Sequence, residues 1–433
     1  MKNLKFALIL GLAFLLFATP LQAEDEALLT QVAVLELPNL ESFLGGNNRL
    51  PHRALDVWAE GDLAVVTAGP AVHLVDLSDM ENPALFSTIE VNGLSWDAKL
   101  SGDFLYVGLQ FSADGNLFDV YNISDPSNPE YVTSHFSETF AGTHNIFIEG
   151  NVAFIASLSG FSNRQSPAVI GMGTWMVDIS DPANPQDIDV IRQNNGDPIP
   201  TVHDLTVINN RAYLAGWTSG FWLVDFENLD NPSELSYTVT ANGTYNSFPD
   251  ASTSQVESHT HNVWPSEDGN LVWTTDEIVG EGIRLFDVSD TEDITPLGIF
   301  RFATNSIPHN VMIDGDFAYV SHYRDGLFVL EFERLQGPVE VAHFNPGPSN
   351  DCPTFPFCLA FGVFVHGNYV LVGDMTNGLV VLEKGGILRS DEAEIVEETS
   401  EAEAEATAEA DVEVEVETET ETENEEDDSE SDE

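Results

Sequence analysis

Short apolar runs, broken by Gly-Asp, Asp-Gly and Asn-Pro dipeptides, recur along most of the chain. From Asn310 they read NVMID, FAYVSHY, LFVLEFE and VEVAHF, with turn residues or a Pro-containing connection after each run. Runs this short, rich in β-branched and aromatic residues and bounded by such turns, predict antiparallel strands. No stretch keeps a useful amphipathic helical period.

The pattern repeats. HLVDLSDMENPALFSTI from His73, MVDISDPANPQDIDVI from Met176 and IRLFDVSDTEDITPLGIF from Ile283 are its clearest copies, and weaker ones start at Val120, Trp222, Leu327 and Leu379. The acidic or amide residue after each apolar pair is Asp76, Asn122, Asp178, Asp225, Asp287, Glu331 or Glu383, so seven copies follow at intervals of about 51 residues. Four short strands per unit in seven units predict an all-β fold, a seven-bladed β-propeller. The seventh copy lacks its fourth strand, and LLTQVAVLELPN before the first copy resembles it. Residues 30–37 are therefore expected to close the ring beside Leu379–Lys384 and remove the open edges.

The units resemble LVIVD repeats, found in exported bacterial and archaeal propellers. LVDLSD, MVDISDPANP and LFDVSD carry the resemblance, with HNVWPSEDGNLVWTTDE from His261 and HNVMIDGDFAYVSHYRDGL from His309. It covers residues 30 to about 387 and implies the propeller fold and little about chemistry.

The ends differ from the body. Lys2 and Lys5 precede an apolar run from Phe6 to Phe17 and small residues up to Ala23, which predicts a signal peptide over residues 1–23. That run is shorter than the roughly 20 residues a membrane span needs, and no later segment approaches this length. The mature chain is expected to be secreted, periplasmic or at the cell surface, without a transmembrane segment. Residues 24–389 are assigned to the propeller. Residues 390–433, with 23 acidic residues between Asp391 and Glu433 and no Lys, Arg, Gly or aromatic residue in that span, predict a disordered acidic tail.

Charge narrows the partners. The chain has 14 Lys and Arg against 73 Asp and Glu, a net charge of −59, and only Lys99 and Lys384 remain as lysines beyond residue 23. Such a polyanion repels nucleic acid and anionic lipid, so the expected partner is a protein or a small-molecule ligand, met by a monomer. Cys352 and Cys358, the only cysteines, enclose PTFPF and are expected to form a local disulfide in an oxidising compartment.

Candidate chemistry lies in the histidines. Aligned on the turn after the first strand, the units place Leu55, Trp96, His144, His203, His261, His309 and Phe361 at one position, and Asp56, Asp97, Asn145, Asp204, Asn262, Asn310 and Gly362 at the next. First strands line a propeller's axis, so the four histidines are expected at one mouth of the channel. Imidazole rings there suit a divalent transition metal, zinc, copper or iron, with His259 as a further ligand or supporting partner. Alternatively the imidazoles belong to the repeat, stacking or bonding to backbone carbonyls. Asp276 and Glu277 are either outer acids of such a site or solvated turn carboxylates. The Asp178 and Asp181 type positions recur in nearly every unit and are read as turn-forming. No P-loop, dinucleotide fingerprint or GxSxG elbow occurs. These features favour an exported binding or interaction module with a metal in the channel. The alternative is a metal-dependent enzyme, oxidative or hydrolytic, using the same histidines.

Overall fold

The computed structural model describes residues 28–39, 42–43, 49–50, 53–137, 142–157, 173–243, 259–302, 307–333, 337–346 and 359–388. The proposed signal peptide, the cysteine pair and the acidic tail lie outside them.

Seven four-stranded antiparallel sheets form the blades of a propeller. From the axis outwards, blade 1 comprises Val57–Glu60, Leu63–Thr67, Gly69–Asp76 and Ala84–Ser95, and blade 2 comprises Ala98–Ser101, Phe104–Gly108, Asn116–Asn122 and Glu130–Phe136. Blade 3 comprises Asn145–Glu149, Val152–Ser157, Gly173–Asp178 and Gln186–Val190, and blade 4 comprises Asp204–Ile208, Arg211–Ala215, Phe221–Phe226 and Tyr237–Gly243. Blade 5 comprises Thr260–Pro265, Leu271–Asp276, Gly282–Asp287 and Thr295–Arg301, and blade 6 comprises Val311–Asp314, Phe317–Ser321, Leu327–Glu333 and Gly337–Phe344. Blade 7 takes Ala360–His366, Tyr369–Asp374 and Gly378–Lys384 from the end of the propeller, and its outer strand from Leu29–Leu35. Leu29 pairs with Lys384 and Leu35 with Leu379, which closes the ring as the repeat pattern predicts.

Each blade is sandwiched between two others, so its central strands must be apolar on both faces. Seven buried clusters follow, one at each blade junction. Strand Gly378–Lys384, GLVVLEK, shows the consequence: six of its seven residues are buried. The acidic residues that end the third strands act locally, as their recurrence suggests. Asp76, Asp178 and Asp287 each accept a hydrogen bond from the backbone N–H two residues on, at 2.9–3.0 Å.

The first strands share a device the repeat pattern does not reveal. In blade 6, His309 N–H donates to Ser321 O at 2.9 Å while Ser321 N–H donates to Asn310 O at 2.9 Å, so two residues oppose one. Leu55 and Asp56 oppose Thr67 in the same way, and register breaks isolate His261 and Phe361. Such a β-bulge interrupts strand alternation and re-aims a side chain. Two successive residues per blade consequently reach the axis, and two stacked rings form there, the second interrupted at Gly362 of blade 7.

Candidate metal centre

The upper ring contains the seven residues aligned in the sequence. Ring centroids of His144 and His203 are 4.2 Å apart, those of His203 and His261 4.1 Å, those of His261 and His309 4.2 Å, and those of His309 and Phe361 4.0 Å. The remaining arc is apolar: Leu55, Trp96 and Met375 form a buried cluster against Leu94 and Phe361. The mouth thus divides into an imidazole half, from blades 3 to 6, and an apolar plug from blades 7, 1 and 2.

Burial holds all four imidazoles in the neutral form. It lowers His144 to about 4 and His309 to about 3, and it drives His203 and His261 well below the ordinary value, with neighbouring rings adding to the effect on the last three. The two outer rings have partners: His309 Nδ1 donates to Phe361 O at 2.7 Å, and His144 Nδ1 to Gln110 Oε1 at 3.2 Å. Nδ1 of His203 and Nδ1 of His261 are buried without a hydrogen bond.

A second set of residues, two positions beyond the second-strand residue that opposes each bulge, folds over the ring. It includes Gln110, Trp217, Glu277, Tyr323 and Met375. Trp217 stacks between His203 and His259, at 4.7 Å and interplanar angles of 14° and 26°. Tyr323 packs on His309 at 4.7 Å and donates its hydroxyl to Glu277 Oε1 at 2.7 Å. Trp217 and Tyr323 adopt φ of 52° and 40°, where blade 1 has Gly69 at φ 70°. Bulky residues in this left-handed region store strain of about 1–2 kcal/mol each and are characteristic of sites rather than scaffolds.

Glu277 completes the imidazole half. Its Oε2 lies 3.8 Å from His261 Nε2, and burial raises its carboxyl to about 7, against a smaller lowering from the Tyr323 hydrogen bond. It is therefore not the solvated turn carboxylate that is one reading of the sequence. Asp276 instead pairs with the buried Arg284 and accepts the His259 N–H at 3.0 Å. Among the described residues one group of three or more His, Cys, Asp or Glu has ligand atoms all within 4.8 Å: His203, His261 and Glu277. His144 and His309 flank this group, and His259 stands behind Trp217. Sequence reasoning passed over Trp217, Tyr323 and Gln110, although their shared phase within the repeat could have exposed them.

The lower ring is polar. Asn262 Nδ2 donates to Asp204 at 2.8 Å, and Lys99 bonds Asp97 and lies 3.7 Å from Asp56. Burial raises Asp204 to about 7 and raises Asp56 well above the carboxylate range. Burial alone would lower Lys99, but Asp97 and Asp56 outweigh it and the ammonium is held above its ordinary value. Away from the channel, a cleft of about 920 Å³ opens between blades 5 and 6 at the other face, where Trp273 and Phe332 line it.

The LVIVD repeat family matches residues 92–135 and 359–383, which include blade 2 except its last residue and nearly all of the three strands that blade 7 takes from the end of the propeller. The chain is a seven-bladed propeller that carries LVIVD repeats. Its fold is similar to a chain of the Mitotic Checkpoint Complex, with 12% identity, TM-score 0.55 and coverage of 82% of this chain and 96% of that one. It is also similar to the Cps50 (Swd1) β-propeller domain of Myceliophteria thermophila, with 12% identity, TM-score 0.53 and coverage of 77% and 97%. The extracellular domain of BT4673 from B. thetaiotaomicron matches at 13% identity and TM-score 0.50, over 80% of the LVIVD propeller and 39% of that longer chain. At these identities the likeness is one of fold alone. Among curated proteins no sequence match is found. No helix among the described residues is long and apolar enough to cross a membrane.

Proposed function

We propose that this LVIVD propeller is an exported binding module that works from its ring face and holds a divalent transition-metal ion, zinc, copper or iron, at the channel mouth. One observation carries the metal: His203, His261 and Glu277 bring their ligand atoms within 4.8 Å of one another. Neutral imidazoles beside a carboxylate are donors of the kind such ions take.

The pattern of residues 1–23 supports export. The ring face supports partner binding. In blades 1, 2, 3, 4, 6 and 7 the first two strands are joined at the opposite face by two-residue turns, and the longest connections, such as those from Gly243 to Thr260 and from Phe344 to Ala360, join strand ends at the ring face. Variable connections on a rigid scaffold are where binding determinants concentrate. The acidic body disfavours nucleic acid, leaving a protein or small molecule.

The low exposure of His203 and His261, 5% and 3%, favours a binding centre over the metal-dependent enzyme, whose open coordination position must admit substrate. The test is metal analysis of protein purified from the exported fraction without chelators. Near-stoichiometric zinc, copper or iron is expected. Protein that carries none and takes up none on titration overturns the metal reading.

A further inference from the structure

We propose that the ion is Zn²⁺, held by His203 of blade 4 and by His261 and Glu277 of blade 5 with one position left to water, and that Tyr323 of blade 6 is the residue that positions the carboxylate. This rests on the metal reading above and specifies the ion, its donors and the residue that sets its affinity.

The four imidazoles are not equivalent. His309 and His144 each commit a ring nitrogen, to Phe361 O and to Gln110 Oε1. What sets the two between them apart is the carboxylate: they share the 4.8 Å group with Glu277, whose Oε2 faces Nε2 of His261 and not its buried Nδ1. A four-imidazole centre would draw on the outer rings, whose ligand atoms do not join that group.

The carboxylate is oriented as a single-oxygen ligand. The Tyr323 hydroxyl occupies Oε1 at 2.7 Å, which leaves Oε2 facing His261 Nε2 at 3.8 Å. That gap is too wide for a hydrogen bond. Two donors about 2.0–2.1 Å from one tetrahedral ion stand roughly 3.4 Å apart, so binding draws the His261–Glu277 pair in from 3.8 Å and the whole group in from its 4.8 Å span. Two nitrogens and one oxygen without sulfur serve both Zn²⁺ and six-coordinate Fe²⁺; Trp217 packed on His203 and Tyr323 on His309 crowd the mouth and favour the four-coordinate ion, whereas Ca²⁺ requires six to eight oxygens. Three protein donors leave the fourth position of a zinc site to water.

Tyr323 is held for this task. Its φ of 40° turns its ring over the mouth, and its carbonyl accepts the Ala360 N–H of blade 7 at 3.1 Å. Partners that orient a metal ligand commonly change affinity by about 10- to 100-fold when removed.

The test titrates chelator-stripped full-length protein with Zn²⁺ against a chromophoric competitor, and records the visible spectrum after loading with Co²⁺. The parent is expected to bind one equivalent and to give the intense absorption of four-coordinate Co²⁺. Tyr323→Phe should weaken Zn²⁺ binding about 10- to 100-fold at unchanged stoichiometry, and Glu277→Gln and His203→Asn should abolish the tight site. His144→Asn should stay within a few-fold of the parent. Tyr323→Phe and Glu277→Gln keep the side-chain shape, and melting curves confirm their folding. A parent that binds no metal removes the underlying reading. A parent that binds Zn²⁺ tightly, loses it in His144→Asn and keeps it in Glu277→Gln and Tyr323→Phe overturns this donor set alone, as does the weak spectrum of six-coordinate Co²⁺.

Discussion

The carbonyl oxygen of Leu55, the ring residue of blade 1, occupies the space that a Cβ on Gly373 of blade 7 would need. Gly362 meets the same oxygen, which would lie 2.7 Å from its Cβ, and its own N–H donates to it at 3.1 Å. The last junction of the propeller therefore closes backbone against backbone. Gly373→Ala should cost at least about 1–3 kcal/mol through forced separation of blades 7 and 1. Urea unfolding reads the effect, and an unchanged midpoint would show that the junction yields freely.

The outer strand of blade 7 is supplied from the other end of the propeller, and without it Leu379–Lys384 becomes an exposed apolar edge. A chain beginning at Glu36 should lose cooperative unfolding and self-associate in size-exclusion chromatography. Adding a peptide of residues 28–38 should restore both properties by strand addition. A truncated chain that melts like its parent contradicts this closure.

Lys99 and Lys384, the only lysines beyond residue 23, are both buried, 4% and 0% exposed, and each meets an aspartate. They serve the interior of a strongly acidic protein rather than its surface. Lys99→Met leaves Asp97 and Asp56 without their counter-charge in the channel, so a loss of about 3–5 kcal/mol is expected. Adding Asp97→Asn should recover part of it, a non-additivity that a double-mutant cycle measures.

His73 of blade 1 is fully buried, its Nδ1 is 2.9 Å from Thr88 Oγ1, and burial lowers it from 6.5 to about 4. Below pH 6.5 the unfolded chain binds a proton at this site and the native chain does not until about pH 4. The stability due to the neutral ring is thus complete above pH 6.5 and falls by about 1.4 kcal/mol per pH unit across that window. His73→Leu removes this dependence. Between pH 7 and pH 4 the stability of the parent should fall relative to the variant by about 3 kcal/mol, read from paired denaturation curves. A constant difference would mean that His73 titrates normally.

Blade number, strand order, ring closure and the phase of the histidines are legible in the sequence because a repeat is a local property. Each unit carries its own alternation, turns and side-chain ladder, and the missing seventh outer strand points to the spare one before the first unit. The turn-forming role of Asp178 and its equivalents is legible for the same reason. The division of the upper ring into an imidazole arc and an apolar plug is legible too, from the aligned Leu55, Trp96 and Phe361, whereas the lower ring is not, since a bulge, absent from composition and periodicity, sends two successive residues to the axis.

Which partners the histidines and Glu277 meet was decided only by the tertiary structure. His309 meets Phe361 O, His144 meets Gln110 and Glu277 meets Tyr323, all through contacts that join different blades. Glu277 reads as a turn carboxylate in isolation and becomes a buried partner of His261 because Tyr323, 46 residues away in the chain, holds it there. Periodicity places a residue at a height on the axis, but the direction of its side chain, its partner and its charge depend on the neighbouring blade, whose contacts form only when the ring is closed.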